Sequence, residues 1–227
     1  MPVITITRQF GAAGVPIGRA LATRLNAELL DRAIVAQAAL RSGIPESEIE
    51  SYDERLPGLW QRVARALAAS TPEVIGPPLP EDLMRLNTHD RLAAVTRLLI
   101  EEAAARGNAI ILGRGGAFIL RGRPDVLHVQ LHASLAARVR YLATRVEEAP
   151  PETRPDPASL AELCRSVDLA RADYIRALFA ADWMDSRNYD LSVDTGRLGV
   201  ERSVELIAAA ARERLADEPA PVATTDR

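Results

Sequence analysis

The chain has 227 residues, of which 48% are hydrophobic, and its formal net charge is −3. This length is enough for one large or two small domains with a proper core, and the near-neutral charge argues against binding nucleic acid through general phosphate attraction. Cys164 is the single cysteine, which excludes an internal disulfide. With no signal-peptide pattern and no apolar run of about 18 residues, these features favour a cytoplasmic protein that does not contact membranes.

Strand-like and helix-like patterns alternate through the first half of the chain. The β-branched run 3–7 predicts a strand, and apolar residues at helical spacing predict a helix over 15–25. The segments that follow are a short strand at 28–31, helices at 31–42 and after Pro45, a proline-rich loop at 70–83 and a long helix at 81–106. Gly107 is expected to cap that helix.

The second half repeats the alternation. We predict strands at 108–116, 125–133 and 188–195, each leading toward a helix. The helices are a segment from the N-cap Ser134 to Val146, a helix over 158–181 and a last helix over 200–215. The proline-rich segment 147–157 is predicted to be a surface excursion, and 216–227 a disordered tail.

This alternation predicts an α/β fold with a mostly parallel five-stranded sheet and helices on both faces. Ligands of such sheets bind at the carboxyl ends of the strands. We therefore expect the site to be formed by the loops at 8–14, 113–116, 132–134 and 194–199.

The loop after the first strand lies in the strand–loop–helix order that is typical of a phosphate-binding loop, but it lacks the usual residues of such a loop. Aligned with G-x-x-x-x-G-K-[ST], Arg8, Ala13, Gly14 and Val15 stand at the four specified positions, and all 28 basic residues of the chain are arginines. Backbone N–H groups and a helix N-terminus can nonetheless bind an anion, and Arg8 could supply the missing cation. An ordinary strand-to-helix turn is the alternative.

A dinucleotide-binding fold is a rival interpretation. Gly11, Gly14 and Gly18 give G-x-x-G-x-x-x-G, which does not match G-x-G-x-x-G, although Asp31 stands where a ribose-binding acid would. The Tyr–Lys pair of short-chain dehydrogenases cannot exist in a chain without lysine.

Further arginines stand where a phosphate could meet them. Arg114 ends a strand among glycines, and Asp168 and Arg171 lie on one stripe of a helix, with Arg138 and Arg145 on the helix before it. An exposed turn and solvated ion pairs are the plain alternatives. The few histidines and the lone cysteine do not predict a metal site.

Several stretches together resemble the cytidylate kinase-like family of P-loop nucleoside monophosphate kinases. They occur in the family's order and cover most of residues 3–207. They read "ITITRQFGAAGVPIGRALA", "LLDRAIV", "IILGRGGAFIL", "VLHVQLHASLAARV", "VDLARADYI" and "WMDSRNYDLSVDTGRLG".

The resemblance implies one kinase domain over 1–215. Its core would comprise 1–31, 108–146 and 183–215, with a helical monophosphate-binding insertion at 32–107 and a lid at 147–182. It implies ATP and Mg²⁺, a small-molecule nucleotide acceptor by analogy with CMP, and no nucleic-acid partner.

The resemblance also assigns the site residues. ATP would be bound by the first loop, and the acceptor by residues at the ends of the second and third predicted strands. The nucleotide set is Arg8, Gly11, Ala12, Ala13, Gly14 and Val15; the acceptor set is Asp31, Arg32 and Arg114; the lid set is Arg138, Arg145, Asp168 and Arg171. We expect Arg8, Arg114 and Arg171 to act on the transferred phosphate.

The chain departs from the family at positions that matter for catalysis. True cytidylate kinases have G-R-D where this chain has Gly113–Arg114–Gly115, and neither Val15 nor Gly115 offers an oxygen ligand for Mg²⁺. Two other functions therefore stay open: a non-catalytic nucleotide- or phosphate-binding module, and a kinase of a small molecule that is not a nucleotide.

Overall fold

The computed structural model describes residues 2–31, 88–146 and 154–216. Five strands lie within these ranges: β1 Val3–Arg8, β2 Glu28–Leu30, β3 Ala109–Leu112, β4 Val126–His132 and β5 Leu191–Asp194. The helices there are α1 Gly14–Leu25, α2 Thr88–Arg106, α3 Gly116–Ile119, α4 Leu135–Val146, α5 Pro157–Phe179 and α6 Thr195–Ala216. The helices and loop predicted between 32 and 87, most of the proline-rich excursion and the tail from 217 fall outside the described residues.

The strands form one parallel sheet in the order β2-β3-β1-β4-β5, which confirms the predicted fold class. In the register, Val3 of β1 is opposite Ala109 of β3 on one side and Val126 of β4 on the other. The chain leaves β1 toward one edge of the sheet and leaves β3 toward the opposite edge. The carboxyl ends of β1 and β3 therefore border the crevice where such sheets bind ligands.

Alternating side chains of the strands bury two apolar layers. On one face, Ile4 and Ile6 of β1 pack with α1 and α6, through residues such as Ile17 and Ile207. On the other face, Val3 and its neighbours pack with residues 100–104 of α2. Helix α2 was predicted as the end of the helical insertion, and here it forms part of the layer that covers the sheet.

The predicted helix ends are confirmed at two sites. Gly107 follows α2 with φ 73° and donates its N–H to the carbonyl of Ala103 at 3.1 Å. Ser134 caps α4, because its Oγ accepts the N–H of Ala137 at 3.3 Å. Both conformations were expected from the residue types alone.

Three local features differ from the predicted elements. The strand ending at Leu112 is followed by the single-turn helix α3, the predicted strand 188–195 begins only at Leu191 after a 3₁₀ turn, and α6 starts at Thr195 but breaks at Gly199 (φ 73°, ψ 178°). No helix in the described ranges is both long and apolar enough to cross a membrane.

Candidate active site

The side chain of Arg8, the last residue of β1, packs against two glycines, Gly14 and Gly113. A Cβ on Gly14 would stand 2.7 Å from Cγ of Arg8, and one on Gly113 would collide with Nη1 of its guanidinium. The side chain therefore runs from the start of α1 to the end of β3, across the crevice at the switch point. Glycine is needed at both positions to leave room for this arginine.

The loop between β1 and α1 turns through two left-handed residues. Gly11 has φ 79° and packs so closely on α4 that a Cβ would lie 3.0 Å from Cβ of Arg138; Ala13, the N-cap of α1, has φ 54°. No side chain caps the helix, and its first turn contains no acidic residue, within the described part of the chain. The N-terminal N–H groups and the positive end of the helix dipole are thus presented at the crevice.

The end of β3 is a tight left-handed turn. Gly113, Arg114 and Gly115 have φ values of 81°, 55° and 72°, and the N–H of Gly116 donates to the carbonyl of Gly113 at 3.0 Å. An arginine in the left-handed region costs about 1 kcal/mol or more. Such strain is found mainly where surrounding structure and function maintain it, which makes this turn a candidate part of the site.

Helix α5 places Arg171 beside the first loop. Its Nη1 donates to the carbonyl of Arg8 at 2.7 Å and to Oδ1 of Asp168 at 3.1 Å, and its guanidinium carbon lies 5.2 Å from the ring centroid of Trp183. Burial lowers the pKa of Arg171, an effect that the charge of Asp168 opposes; the side chain stays charged because the pKa of arginine starts so high.

A buried ion pair holds the loop from the other side. Arg138 of α4 donates through Nη1 to Oδ2 of Asp168 at 2.6 Å and to the carbonyl of Phe10 at 3.1 Å, while the N–H of Phe10 donates to Oδ1 of Asp168 at 2.9 Å. The Arg138 and Asp168 side chains are only 8% and 15% exposed. Three residues of α4 and α5 therefore fix the main chain of residues 8–10.

The end of α5 closes the site over the turn after β3. A Cβ on Gly115 would stand 2.7 Å from Cε2 of Phe179, whose ring stacks on Phe118 with centroids 5.5 Å apart. The space that a side chain at position 115 would take is filled by this ring. The ring of Phe179 in α5 thus occupies the place where the G-R-D pattern would have the side chain of its aspartate.

The remaining predicted residues are more dispersed. Ala12 is buried and Val15 is 38% exposed at the start of α1. Asp31 is half-buried after β2, which β3 separates from β1. Arg145 is exposed in the last turn of α4, about 15 Å along the helix from its first residue. Arg32 lies outside the described residues.

A polar seam lies on one face of the central strands. Nδ1 of His128 is 2.8 Å from Oγ1 of Thr5, its Nε2 is buried with no hydrogen-bond partner within the described ranges, and burial lowers its pKa. The hydroxyl of Tyr189 donates to the carbonyl of Trp183 at 2.7 Å, and burial raises the pKa of Tyr189 to about 12. The Tyr189 hydrogen bond helps to hold the segment that carries Trp183.

Four contributors to the site were not predicted. Trp183 was expected only to pack, and Phe179 was not singled out. The side chain of Gln9 accepts the N–H of Ala133 at 3.1 Å, and Thr195 donates to the carbonyl of Ala12 at 3.2 Å. Gln9, Thr195 and Phe179 act through contacts with residues more than 60 positions away in the chain, which no local pattern reveals.

Comparisons with known proteins bear on the fold and on the family. An uncharacterized protein from Eubacterium ventriosum has a similar structure (TM-score 0.60, 18% identity, 93% of this chain and 99% of that one), as does a gluconokinase from Sinorhizobium meliloti (TM-score 0.50, 13% identity, 96% and 97%). At such identities the likeness concerns the fold alone. A uronate isomerase from Corynebacterium glutamicum is 30% identical over 125 residues, which are 55% of this chain but only 21% of that protein's length.

The sequence also matches the cytidylate kinase-like family over residues 3–197. This range includes β1 and its loop, the turn after β3, and the arginines of α4 and α5. The match over most of the chain leads to one conclusion: the chain belongs to the cytidylate kinase-like family.

Proposed function

We propose that the protein is an ATP-dependent phosphotransferase that transfers the γ-phosphate of ATP to a nucleoside monophosphate resembling CMP, in the cytoplasm. The observation that carries this proposal is the path of Arg8 over Gly14 and Gly113. It sets a guanidinium between an uncapped helix N-terminus and a strained strand-end turn, at the switch point of the sheet. These are the elements by which phosphates are bound in such folds.

The donor end of the site is the loop from Arg8 to Val15. The N–H groups around the left-handed Gly11 and Ala13 and at the start of α1 would bind the phosphates of ATP. Arg8 and Arg171 would take the place of the absent lysine: Arg8 ends β1, and Arg171 donates to the carbonyl of Arg8. Phosphoryl transfer requires mainly positioning and charge neutralisation, so we assign no general base.

The acceptor end is assigned to Arg114, with Asp31 and the neighbouring Arg32. The family likeness supports a nucleoside monophosphate, and the strained conformation of Arg114 supports a role for it in binding. Phe179 against Gly115 favours an acceptor site bounded by an aromatic ring where cytidylate kinases have a carboxylate. This observation also supports the second candidate, a kinase whose acceptor is a different small molecule.

We assign Mg²⁺ to the site as a companion of ATP. The described ranges contain no group of three His, Cys, Asp or Glu side chains able to hold a metal ion. Mg²⁺ usually keeps several waters and is bound through substrate phosphates with one or two carboxylates, and Asp31 at the end of β2 is the carboxylate we assign to it. The ion would neutralise charge on the phosphates.

Steady-state turnover with purified protein tests the proposal. ATP, Mg²⁺ and a panel of nucleoside monophosphates and small alcohols are supplied, and ADP is measured. We expect ADP formation that depends on one acceptor and that Arg8→Ala reduces mainly through a higher KM for ATP. The exposed Arg24→Ala, in the last turn of α1, is the matched control and should leave KM unchanged. ATP binding without turnover on any acceptor would favour the non-catalytic binding module.

A further inference from the structure

The geometry points to Asp168 and Arg138 as positioning residues that hold the phosphate-binding loop in its binding conformation without contacting the nucleotide. The nucleotide consequences of this inference rest on the proposed function. Its structural basis is that the pair binds both main-chain groups of Phe10. The Asp168 carboxylate accepts the Phe10 N–H at 2.9 Å, and the Arg138 guanidinium donates to the Phe10 carbonyl at 3.1 Å. We call this arrangement of Asp168, Arg138 and Phe10 the loop clamp.

The loop clamp fixes a residue that stands immediately before the turn of the loop. Gly11, the next residue, adopts φ 79° and rests on Cβ of Arg138. The ring of Phe10 packs against a cluster that includes Leu142 and Leu160 of α4 and α5. Backbone, charge and packing therefore hold the same two residues, so the direction of the following N–H groups is set before any ligand arrives.

The loop clamp and Arg171 together bury more positive than negative charge, and a gain in folding stability does not explain this arrangement. One carboxylate, Asp168, faces two guanidinium groups, Arg138 at 2.6 Å and Arg171 at 3.1 Å. Nε of Arg138 is buried and has no hydrogen-bond partner among the described residues. Burying an ion pair and an unsatisfied donor costs free energy that a well-packed apolar pair would avoid. This cost is explained if the ion pair serves to hold the loop in its conformation.

The same carboxylate connects the loop to Arg171. Its Oδ1 accepts both the N–H of Phe10 and Nη1 of Arg171, which in turn donates to the carbonyl of Arg8. Neutralising Asp168 therefore releases the loop main chain and removes the carboxylate that orients Arg171. Both effects would weaken binding of phosphates, although Asp168 itself carries the wrong charge to bind them.

Three variants separate positioning from structural support. Asp168→Asn keeps the shape and removes the charge. Asp173→Asn is its matched control: the same substitution on the same helix at an exposed pair, 3.2 Å from Arg176. The double variant R138M/D168L replaces the buried ion pair by apolar side chains of similar volume, a change that commonly preserves or raises stability. It remains informative if Asp168→Asn does not fold.

Two measurements decide the outcome. Without nucleotide, amide hydrogen exchange of the peptide covering residues 9–14 should be at least tenfold faster in Asp168→Asn and R138M/D168L, and unchanged in Asp173→Asn. By calorimetric titration, the Kd for ATP should rise at least tenfold in the first two variants only. A folded R138M/D168L with wild-type exchange and wild-type Kd would overturn the inference. If the wild-type protein does not bind ATP, the proposed function fails, and the exchange result without nucleotide alone decides for or against the loop clamp.

Discussion

A substitution at Gly113 can move the Arg8 guanidinium without removing Arg8, and so tests whether the position of this charge matters for nucleotide binding. Gly113 and Gly122 both have φ +81°, but a Cβ on Gly113 would meet the end of the Arg8 side chain, whereas one on Gly122 would meet nothing within 4 Å. Placing alanine at this φ costs about 1–2 kcal/mol, offset by about 0.4–1 kcal/mol from the stiffer unfolded chain. We therefore expect Gly113→Ala and Gly122→Ala each to lose about 1 kcal/mol of unfolding free energy.

The two variants should differ in nucleotide binding. Only Gly113→Ala forces the guanidinium away, which is inexpensive for the fold because the far end of the side chain can move. Losing a hydrogen bond between charged groups costs about 1.5–3 kcal/mol, which raises the Kd for ATP roughly ten- to 100-fold. Urea unfolding and calorimetric titration give the two quantities. Equal Kd values for Gly113→Ala and Gly122→Ala would refute the assignment of Arg8 to the phosphates.

Three further predictions follow from the same contacts. Arg171→Ala should lower kcat by ~10²–10³ in the turnover assay, with partial recovery in Arg171→Lys, since lysine lacks the planar fork; normal kcat in Arg171→Ala would contradict this role. Gly115→Asp should lower the unfolding free energy by ~2–4 kcal/mol, more than Gly122→Asp, because it adds a collision with the stacked ring of Phe179 to the same unfavourable φ; equal losses would remove that steric argument. Burial depresses the pKa of His128 below its usual 6.5, so the unfolded chain binds this proton first and stability falls by up to ~1.4 kcal/mol per pH unit as pH drops below about 6.5. His128→Gln should flatten urea-unfolding stability between pH 6.5 and 5, whereas the control His132→Gln, at the other end of β4, should keep the slope.

Much of the fold follows from local patterns in the sequence. The β-branched runs ending near Arg8, Leu112 and His132 form parallel strands of the predicted sheet, because both faces of these strands are covered and near-continuous apolar runs result. The cap residues Ser134 and Gly107 act locally, so their roles could be read from residue type. These parts of the prediction required no knowledge of distant contacts.

The site was predicted less completely, because its decisive contacts join distant segments. Gly14 was expected to belong to the nucleotide-binding loop; in the structure a Cβ at this position would also meet the stem of Arg8. Arg114 was expected to meet a phosphate among flanking glycines; in the structure one of these glycines, Gly113, leaves room for the Arg8 guanidinium. The contact between Gly113 and Arg8 cannot be derived from spacing, since it depends on the position of β3 beside β1.

Helix α5 shows the same limit. The spacing of Asp168 and Arg171 placed them on one stripe of a helix, and the family resemblance implied a lid over 147–182. In the structure this face lies on the protein along its length: Asp168 and Arg171 contact the loop after β1, and Phe179, about 17 Å further along the helix, contacts Gly115 after β3. Its motion during a reaction stays a prediction, to be tested by hydrogen exchange with and without ATP and acceptor.

Transfer of phosphate from ATP to an acceptor is the central claim, and its most direct test is the mass of the product. Purified protein is incubated with Mg²⁺, γ-¹⁸O-labelled ATP and the acceptor panel, and the acceptors are examined by mass spectrometry. The account predicts one acceptor, a nucleoside monophosphate, that gains a phosphoryl group carrying the label, with loss of that product in Arg171→Ala. Unmodified acceptors throughout, in a preparation that binds ATP, would contradict it.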